Sequence, residues 1–166
     1  LLETKNIATF ALLFGTTWLV NALVFTGVLL AVLAAIETTR RVSRPIPRPL
    51  IVTGVFASLA VAFLVPNAVL LTLPVPARLV CAIVLAFAPV FFANLLFTSR
   101  FKDAANPTSA FAANLFGAMV GGCLEYLSLV TGYRLLLVVV AVLYLAAILL
   151  GSGDATGERG GAGRVG

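Results

Sequence analysis

Long apolar runs alternate with short clusters of proline, glycine and charged residues along residues 1–150. A helix needs about 20 mostly apolar residues to cross a bilayer. The pattern therefore predicts an all-α, polytopic membrane bundle, made of a truncated first helix and five full spans. The predicted spans are residues 1–14 (partial), 17–37, 50–65, 77–98, 108–130 and 133–150.

Glycine, threonine and proline mark where these helices should end. The first helix should stop at Gly15, where a C-terminal cap would sit, and Thr16 or Thr17 can cap the next helix. Proline lacks the backbone N–H that a helix needs, so it interrupts helices or kinks them. The resulting predictions are loops at 38–49, 66–76 and 99–107, a kink at Pro89 and a tight turn at "TGYR", residues 131–134.

Positive residues collect on one side of the predicted bundle. The loop 38–49 and its edges carry four arginines, and the loop 99–107 and the tail 151–166 carry two basic residues each. Cytoplasmic loops of membrane proteins are enriched in Lys and Arg. We therefore expect these loops and the C-terminus in the cytoplasm. The tail is rich in glycine and polar residues, which predicts disorder.

Composition supports a membrane protein and argues against several other classes. The chain is 61% hydrophobic and 10% charged, whereas soluble domains carry about 25% charged residues. The net charge of +5 is concentrated in loops and forms no basic groove, so we expect no nucleic-acid partner. The lipid bilayer is the expected partner.

The residues offer no catalytic or metal chemistry. There is no histidine, and Cys81 and Cys123 both fall inside apolar runs, so we expect neither a metal site nor a disulfide. Nucleotide-binding glycine motifs and a nucleophile elbow are also missing from the sequence. We therefore expect no catalytic residue and no cofactor in this segment. The start at Leu1 rather than Met suggests a fragment of a longer polypeptide.

Ionisable and amide side chains inside the predicted spans are the candidates for a substrate path. Glu3 and Lys5 should lie about 15 Å from the outer end of the first helix, at 1.5 Å per residue. Residues two apart do not face each other on a helix, so each needs its own partner. They form either a proton- or cation-linked site or a buried packing pair. The candidates are Glu3, Lys5, Asn21, Asn94, Asn114 and Glu125.

Glu125 ends a stripe of small residues on the predicted span 108–130. Small residues at every fourth position allow two membrane helices to approach closely. This stripe and its neighbour predict a helix-packing face formed by Ala113, Gly117, Gly121 and Gly122. Glu125 then has two interpretations, namely a polar ligand in a cavity or an ion pair with Arg134 across the tight turn.

Two stretches carry a more specific pattern than a membrane helix requires. They are "LETK" followed by "LFGTTWLVN" in residues 1–35, and "NLFGAMVGGCLEYLS" followed by "GYR" in residues 113–147. They resemble the membrane portion of bacterial spermidine-synthase-like integral membrane proteins, also described as fused major-facilitator/spermidine-synthase proteins. Six helices also equal half of a major-facilitator-type bundle.

The resemblance implies a C-terminal membrane portion in the bacterial inner membrane. Its expected partners are upstream helices and a soluble synthase-like domain of the same polypeptide, and any aminopropyltransferase activity would lie in that domain. The membrane part would anchor the domain and form a polar path for a cationic amine. Two alternatives stay open: half of a secondary transporter of unknown substrate, or a purely structural anchor.

Overall fold

Helices account for all the regular structure in the computed structural model, which describes residues 1–42, 46–102, 106–126, 130 and 132–161. No strand occurs in these ranges, so the all-α prediction is confirmed for them. The helices are α1 (Leu2–Phe14), α2 (Trp18–Arg41), α3 (Arg48–Leu64), α4 (Asn67–Leu71), α5 (Val75–Lys102), α6 (Pro107–Glu125) and α7 (Leu135–Gly161).

Two of the described helices are long and apolar enough to cross a membrane, namely Trp18–Arg41 and Val75–Phe101. The prediction of five full spans is wrong by this criterion. Arg48–Leu64 and Leu135–Leu149 are apolar but shorter. A helix of 17 residues is about 25 Å long, less than the roughly 30 Å of a bilayer's hydrocarbon core.

Local signals placed most helix ends correctly. Gly15, with φ 91, ends α1, and Thr17 caps α2 by accepting a hydrogen bond from the backbone N–H of Val20 at 3.2 Å. At the predicted tight turn, Gly132 has φ 83 and its carbonyl accepts from the backbone N–H of Leu135 at 3.2 Å. A positive φ suits glycine because it has no Cβ to clash.

Three helical stretches extend into segments predicted as loops or tail. The short helix α4 lies within the predicted loop 66–76, and its Leu70 is only 3% exposed, so tertiary burial stabilises a turn that prolines flank. Helix α5 continues to Lys102, past the predicted end at residue 98. Helix α7 continues to Gly161, where the sequence predicts a disordered tail, and residues 162–166 lie outside the described part.

The bundle is built around α5. Val24 of α2 packs in one cluster with Ala82 and Ala86 of α5, and Ala35 packs further along with Leu95. The residue numbers of the contacting residues increase in the same direction along both helices, so α2 and α5 run parallel. Helix α3 packs on another side of α5, and α1 contacts α2, α4, α5 and α7. The N-terminal turns of α1 therefore lie inside the bundle, where the polar candidates are found.

Two glycines let aromatic rings lie directly on a helix backbone. A Cβ built on Gly27 would lie 2.1 Å from Cζ of Phe87, and one on Gly54 would lie 2.6 Å from Cδ1 of Phe92. Real Cβ atoms do not approach other atoms so closely. These glycines set how near α2 and α3 come to α5.

Candidate polar cavity

A cavity of about 580 Å³ lies between the start of α1 and helices α5, α6 and α7. Three of the six candidate path residues line it, one from each of three helices. They are Glu3 of α1, Asn94 of α5 and Glu125 of α6. The rest of the wall is mostly small or apolar, with Gly117, Ala118, Gly121 and Gly122 from α6 and Val140, Leu143, Tyr144 and Ala147 from α7 among its members. Two carboxylates and an amide thus share a mostly apolar chamber.

Glu125 is held in place by the start of α1. Its Oε1 accepts from the backbone nitrogen of Leu1 at 2.7 Å, and the Thr4 hydroxyl donates a further hydrogen bond to its side chain. The Leu1 nitrogen is a terminal ammonium here, so the contact is an ion pair as well as a hydrogen bond. The side chain keeps 35% exposure. The carboxylate is therefore fixed in direction yet accessible from the cavity.

No salt bridge within 4 Å joins Glu125 to Arg134, the pair that one of the two interpretations of Glu125 requires. Arg134 instead donates through Nη2 to the backbone carbonyl of Phe63 at 2.6 Å, and its guanidinium carbon lies 5.4 Å from the centroid of the Phe63 ring. The last carbonyls of a helix lack partners within that helix. Arg134 satisfies one of them at the end of α3, which explains why it turns away from Glu125.

Lys5 lies apart from the residues that line this cavity. Its side chain is buried, with 6% of the residue exposed, and no carboxylate of the described residues lies within 4 Å of its ammonium. The neighbouring Asn6 is 1% exposed and donates through Nδ2 to the carbonyl of Ala86 at 2.9 Å. Glu3 and Lys5 therefore serve different surroundings, as their spacing on α1 predicts.

The three candidate asparagines have different environments. Asn94 donates through Nδ2 to the carbonyl of Val90 at 2.8 Å, within its own helix, and lines the cavity. Asn21 and Asn114 are exposed and are not among the residues that line it. The structure therefore brings Glu3, Asn94 and Glu125 together, and leaves Lys5, Asn21 and Asn114 outside this group.

The small-residue stripe of α6 borders open space. A Cβ built on Gly117, Gly121 or Gly122 meets no atom within 4 Å, and Ala113 is exposed. The close packing predicted for these residues therefore does not occur within the described part of the chain. The physical reason is that α6 stands away from α5 and α7, and the stripe forms one wall of the cavity instead.

Tyr144 is a polar residue of the cavity wall that the sequence pattern does not mark. It is half-buried, lines the cavity from α7 and also packs against the buried cluster around Leu137 and Val140. An indirect signal was available, because a tyrosine within an apolar span brings a hydroxyl that needs a polar neighbour. Phenylalanine would fill the same space without a hydroxyl that needs a hydrogen-bond partner.

The side chains that line this cavity offer negative charge and hydrogen bonding to a bound molecule. Among the residues that the structure describes, no group of three or more His, Cys, Asp or Glu side chains could hold a metal ion. Carboxylates and an amide in an apolar chamber suit a cationic ligand. No family model, no curated protein and no solved structure matches the chain.

Proposed function

We propose that the chain is a membrane-embedded helical module whose polar cavity binds a cationic amine. The observation that carries the proposal is the meeting of Glu3 and Glu125 in one chamber, although 121 residues of sequence separate them. Ionisable groups inside membrane helices are rare, and they face protein or a water-filled cavity at sites of function. Pockets of about 300–1,000 Å³ are typical of small-molecule sites, and 580 Å³ falls within this range.

The membrane part of the proposal rests on the surface of the bundle. Helix α2 exposes leucines along its length, including Leu29, Leu30 and Leu33, each at least 60% exposed. Contiguous apolar surface of this kind favours contact with lipid or with another protein. We propose a multi-pass arrangement in which α2 and α5 cross fully and the shorter helices complete the bundle. We propose that the C-terminus lies in the cytoplasm, on the side of Arg40, Arg41 and Arg100, because cytoplasmic loops are enriched in arginine and lysine.

The family part rests on the sequence motifs alone. We propose that this module resembles the membrane portion of bacterial spermidine-synthase-like proteins of the inner membrane, in a half-major-facilitator arrangement. It would then anchor a soluble synthase-like domain of the same polypeptide, and the cavity would form a path for the amine. The alternative of a secondary-transporter half places the same cavity on a transport route.

Amine binding provides the direct test of the cavity. In the full chain, reconstituted in phosphatidylcholine nanodiscs, we expect Glu3→Gln and Glu125→Gln each to weaken spermidine binding about tenfold or more. The reason is that a charge-assisted hydrogen bond contributes about 1.5–3 kcal/mol. Isothermal titration measures the dissociation constants. Glu37→Gln is the matched control, because Glu37 pairs with Arg40 and Arg41 outside the cavity. Equal affinities in all variants would contradict the proposal.

Filling the cavity with a larger side chain should also weaken spermidine binding, and it does so without removing a charge. A leucine at Gly121 projects into open space, so we expect Gly121→Leu to fold normally and to bind spermidine at least about tenfold more weakly by occlusion. Thermal unfolding of the same sample checks the fold. Unchanged binding by a well-folded Gly121→Leu variant would show that amines bind elsewhere.

A structural anchor is the second candidate function. The contacts of Glu125 with Leu1 and Thr4 favour it, because they tie α6 to α1 with no ligand involved. For a pure anchor, Glu125→Gln lowers the thermal midpoint while spermidine leaves the midpoint of every variant unchanged. For an amine site, spermidine raises the wild-type midpoint, since a ligand that binds the folded state stabilises it.

A further inference from the structure

An apolar groove of about 330 Å³ lies at the surface between helices α3 and α7. Its floor includes two buried leucines, Leu59 of α3 and Leu137 of α7, which are each 3% exposed. Its walls are five further apolar side chains, namely Phe56, Ala60, Phe63, Val138 and Ala141. Because every lining side chain is apolar, the groove favours a hydrocarbon chain over a polar ligand.

The length of the groove suits a chain from one leaflet of a bilayer. Along α3 it extends from Phe56 to Phe63, about 10 Å at 1.5 Å per residue. One leaflet supplies about 15 Å, half of a hydrocarbon core of roughly 30 Å. Phe63 and Val138 on the walls are each 40% exposed, so the groove is open to its surroundings. An acyl chain can therefore lie along it while the headgroup stays at the interface.

A guanidinium lies at one end of this groove. Arg134 donates through Nη2 to the carbonyl of Phe63 at 2.6 Å, and its guanidinium carbon lies 5.4 Å from the centroid of the same ring that forms a groove wall. A guanidinium has five N–H donors, and the bond to Phe63 uses one of them. Arg134 is exposed, and no carboxylate among the described side chains lies within 4 Å of it. The contact with Phe63 therefore fixes a cation at the groove and leaves donors for an anion.

Charge decides which kind of molecule fits both parts of the site. An apolar helix of another protein would fill the groove but offer nothing to the guanidinium. A zwitterionic lipid brings a phosphate together with a second cation, which the guanidinium repels. An anionic phospholipid brings a phosphate without that cation, and the planar fork of arginine matches phosphate oxygens closely.

We propose that the groove between α3 and α7 binds one acyl chain of an anionic phospholipid, whose phosphate Arg134 holds. Basic sites beside membrane helices recognise lipid headgroups by the same chemistry. The proposal rests on the proposed membrane location of the chain. It does not depend on amine binding, because none of the residues that line the groove lines the polar cavity.

Native mass spectrometry of the full chain in a neutral detergent measures the dissociation constants of added lipids. We expect phosphatidylglycerol to bind about tenfold more tightly than phosphatidylcholine with the same acyl chains, since only the former pairs Arg134 without a second cation. Arg134→Gln should abolish this preference. Arg100→Gln, which removes the same charge from an exposed position on α5, should keep it. Binding of both lipids without preference overturns this proposal alone, and binding of neither contradicts the membrane location as well.

A groove-filling variant tests the acyl chain and leaves Arg134 in place. Ala60 is an exposed wall residue, so we expect Ala60→Phe to fold normally and to weaken binding of both lipids about tenfold by occlusion. Ala57→Phe is the matched control, because Ala57 is exposed on the same helix and does not line the groove. Unchanged lipid binding by Ala60→Phe overturns the proposal. A wild-type dimer that Ala60→Phe dissociates also overturns it, because a second copy would then occupy the groove.

Discussion

The Gly27→Leu variant is expected to lose about 3 kcal/mol of stability. Even a Cβ at this position would lie 2.1 Å from Cζ of Phe87, and leucine adds three further carbons in the same direction. Overpacking a close-packed site typically costs about 1–3 kcal/mol and sometimes more. The better helix propensity of leucine returns less than about 1 kcal/mol.

The Phe87 ring lines a cavity of about 750 Å³ together with Gly27, and it also packs against buried residues of α1, α2 and α5. Its centroid lies 6.0 Å from that of Phe10, which is 1% exposed, and both rings belong to the packing around Val24 and Ala86. Displacing Phe87 therefore disturbs the contact between α1, α2 and α5 rather than one side chain. This connection is the reason for placing the cost at the upper end of the overpacking range.

Thermal unfolding of the purified chain in detergent measures the effect of Gly27→Leu. A loss of 1 kcal/mol lowers the midpoint of a chain of this size by about 2–4 °C, so a fall of roughly 6–12 °C is expected. Gly117→Leu is the matched control, because a Cβ on Gly117 meets no atom within 4 Å and the midpoint should change little. Equal midpoints for the two variants would mean that α2 and α5 do not pack as described.

Helix ends were predictable because their causes are local. A glycine after an apolar run, a threonine or asparagine before one and prolines between runs each act within one or two turns. Gly15 and Thr17 accordingly end α1 and begin α2, and Asn106 caps α6 by accepting from two backbone N–H groups. Helix α4 was missed because its burial depends on Leu70 packing against distant residues.

The contacts between helices were not predictable, since no local signal states which helices are neighbours. Gly27 in an apolar run is indistinguishable from a residue that faces lipid until Phe87 is known to lie across from it. Arg134 had a carboxylate close in sequence, yet the end of α3 offers it a carbonyl and an aromatic ring. The contact of Gly27 and the partner of Arg134 both depend on which helices are neighbours in the folded chain.

The candidate cavity was predictable in its charges and not in its shape. Burying a carboxylate in a membrane helix is costly, so the sequence already identifies Glu3 and Glu125 as candidates for a polar site. In the structure both residues line the same cavity. The stripe that contains Gly117 and Gly121 was ambiguous, because small residues that admit a neighbouring helix can equally leave room for a ligand. The distance between α6 and its neighbours separates these interpretations, and the sequence does not encode it locally.

Truncating the central ring of α1, in Phe10→Ala, is expected to destabilise the bundle by about 3–5 kcal/mol, the range for removing a buried aromatic side chain. Phe10 lies 5.6 Å from Phe14 and 6.0 Å from Phe87 between ring centroids, and it packs with Leu13, Val24 and Leu70. The cost in lipid comes mainly from lost packing contacts and the cavity left behind, since lipid tails are as apolar as the core.

Leu12→Ala on the same helix is the control for Phe10→Ala. Leu12 is 59% exposed, so its truncation should change stability by no more than about 0.5 kcal/mol. Denaturant titration in mixed micelles, followed by Trp18 fluorescence, measures both variants. A loss in Phe10→Ala that is no larger than in Leu12→Ala would contradict the packing of α1 among α2, α4 and α5. A large loss in Phe10→Ala alone would mean that α1 is integral to the bundle, and that it holds Glu3 and Lys5 in fixed positions.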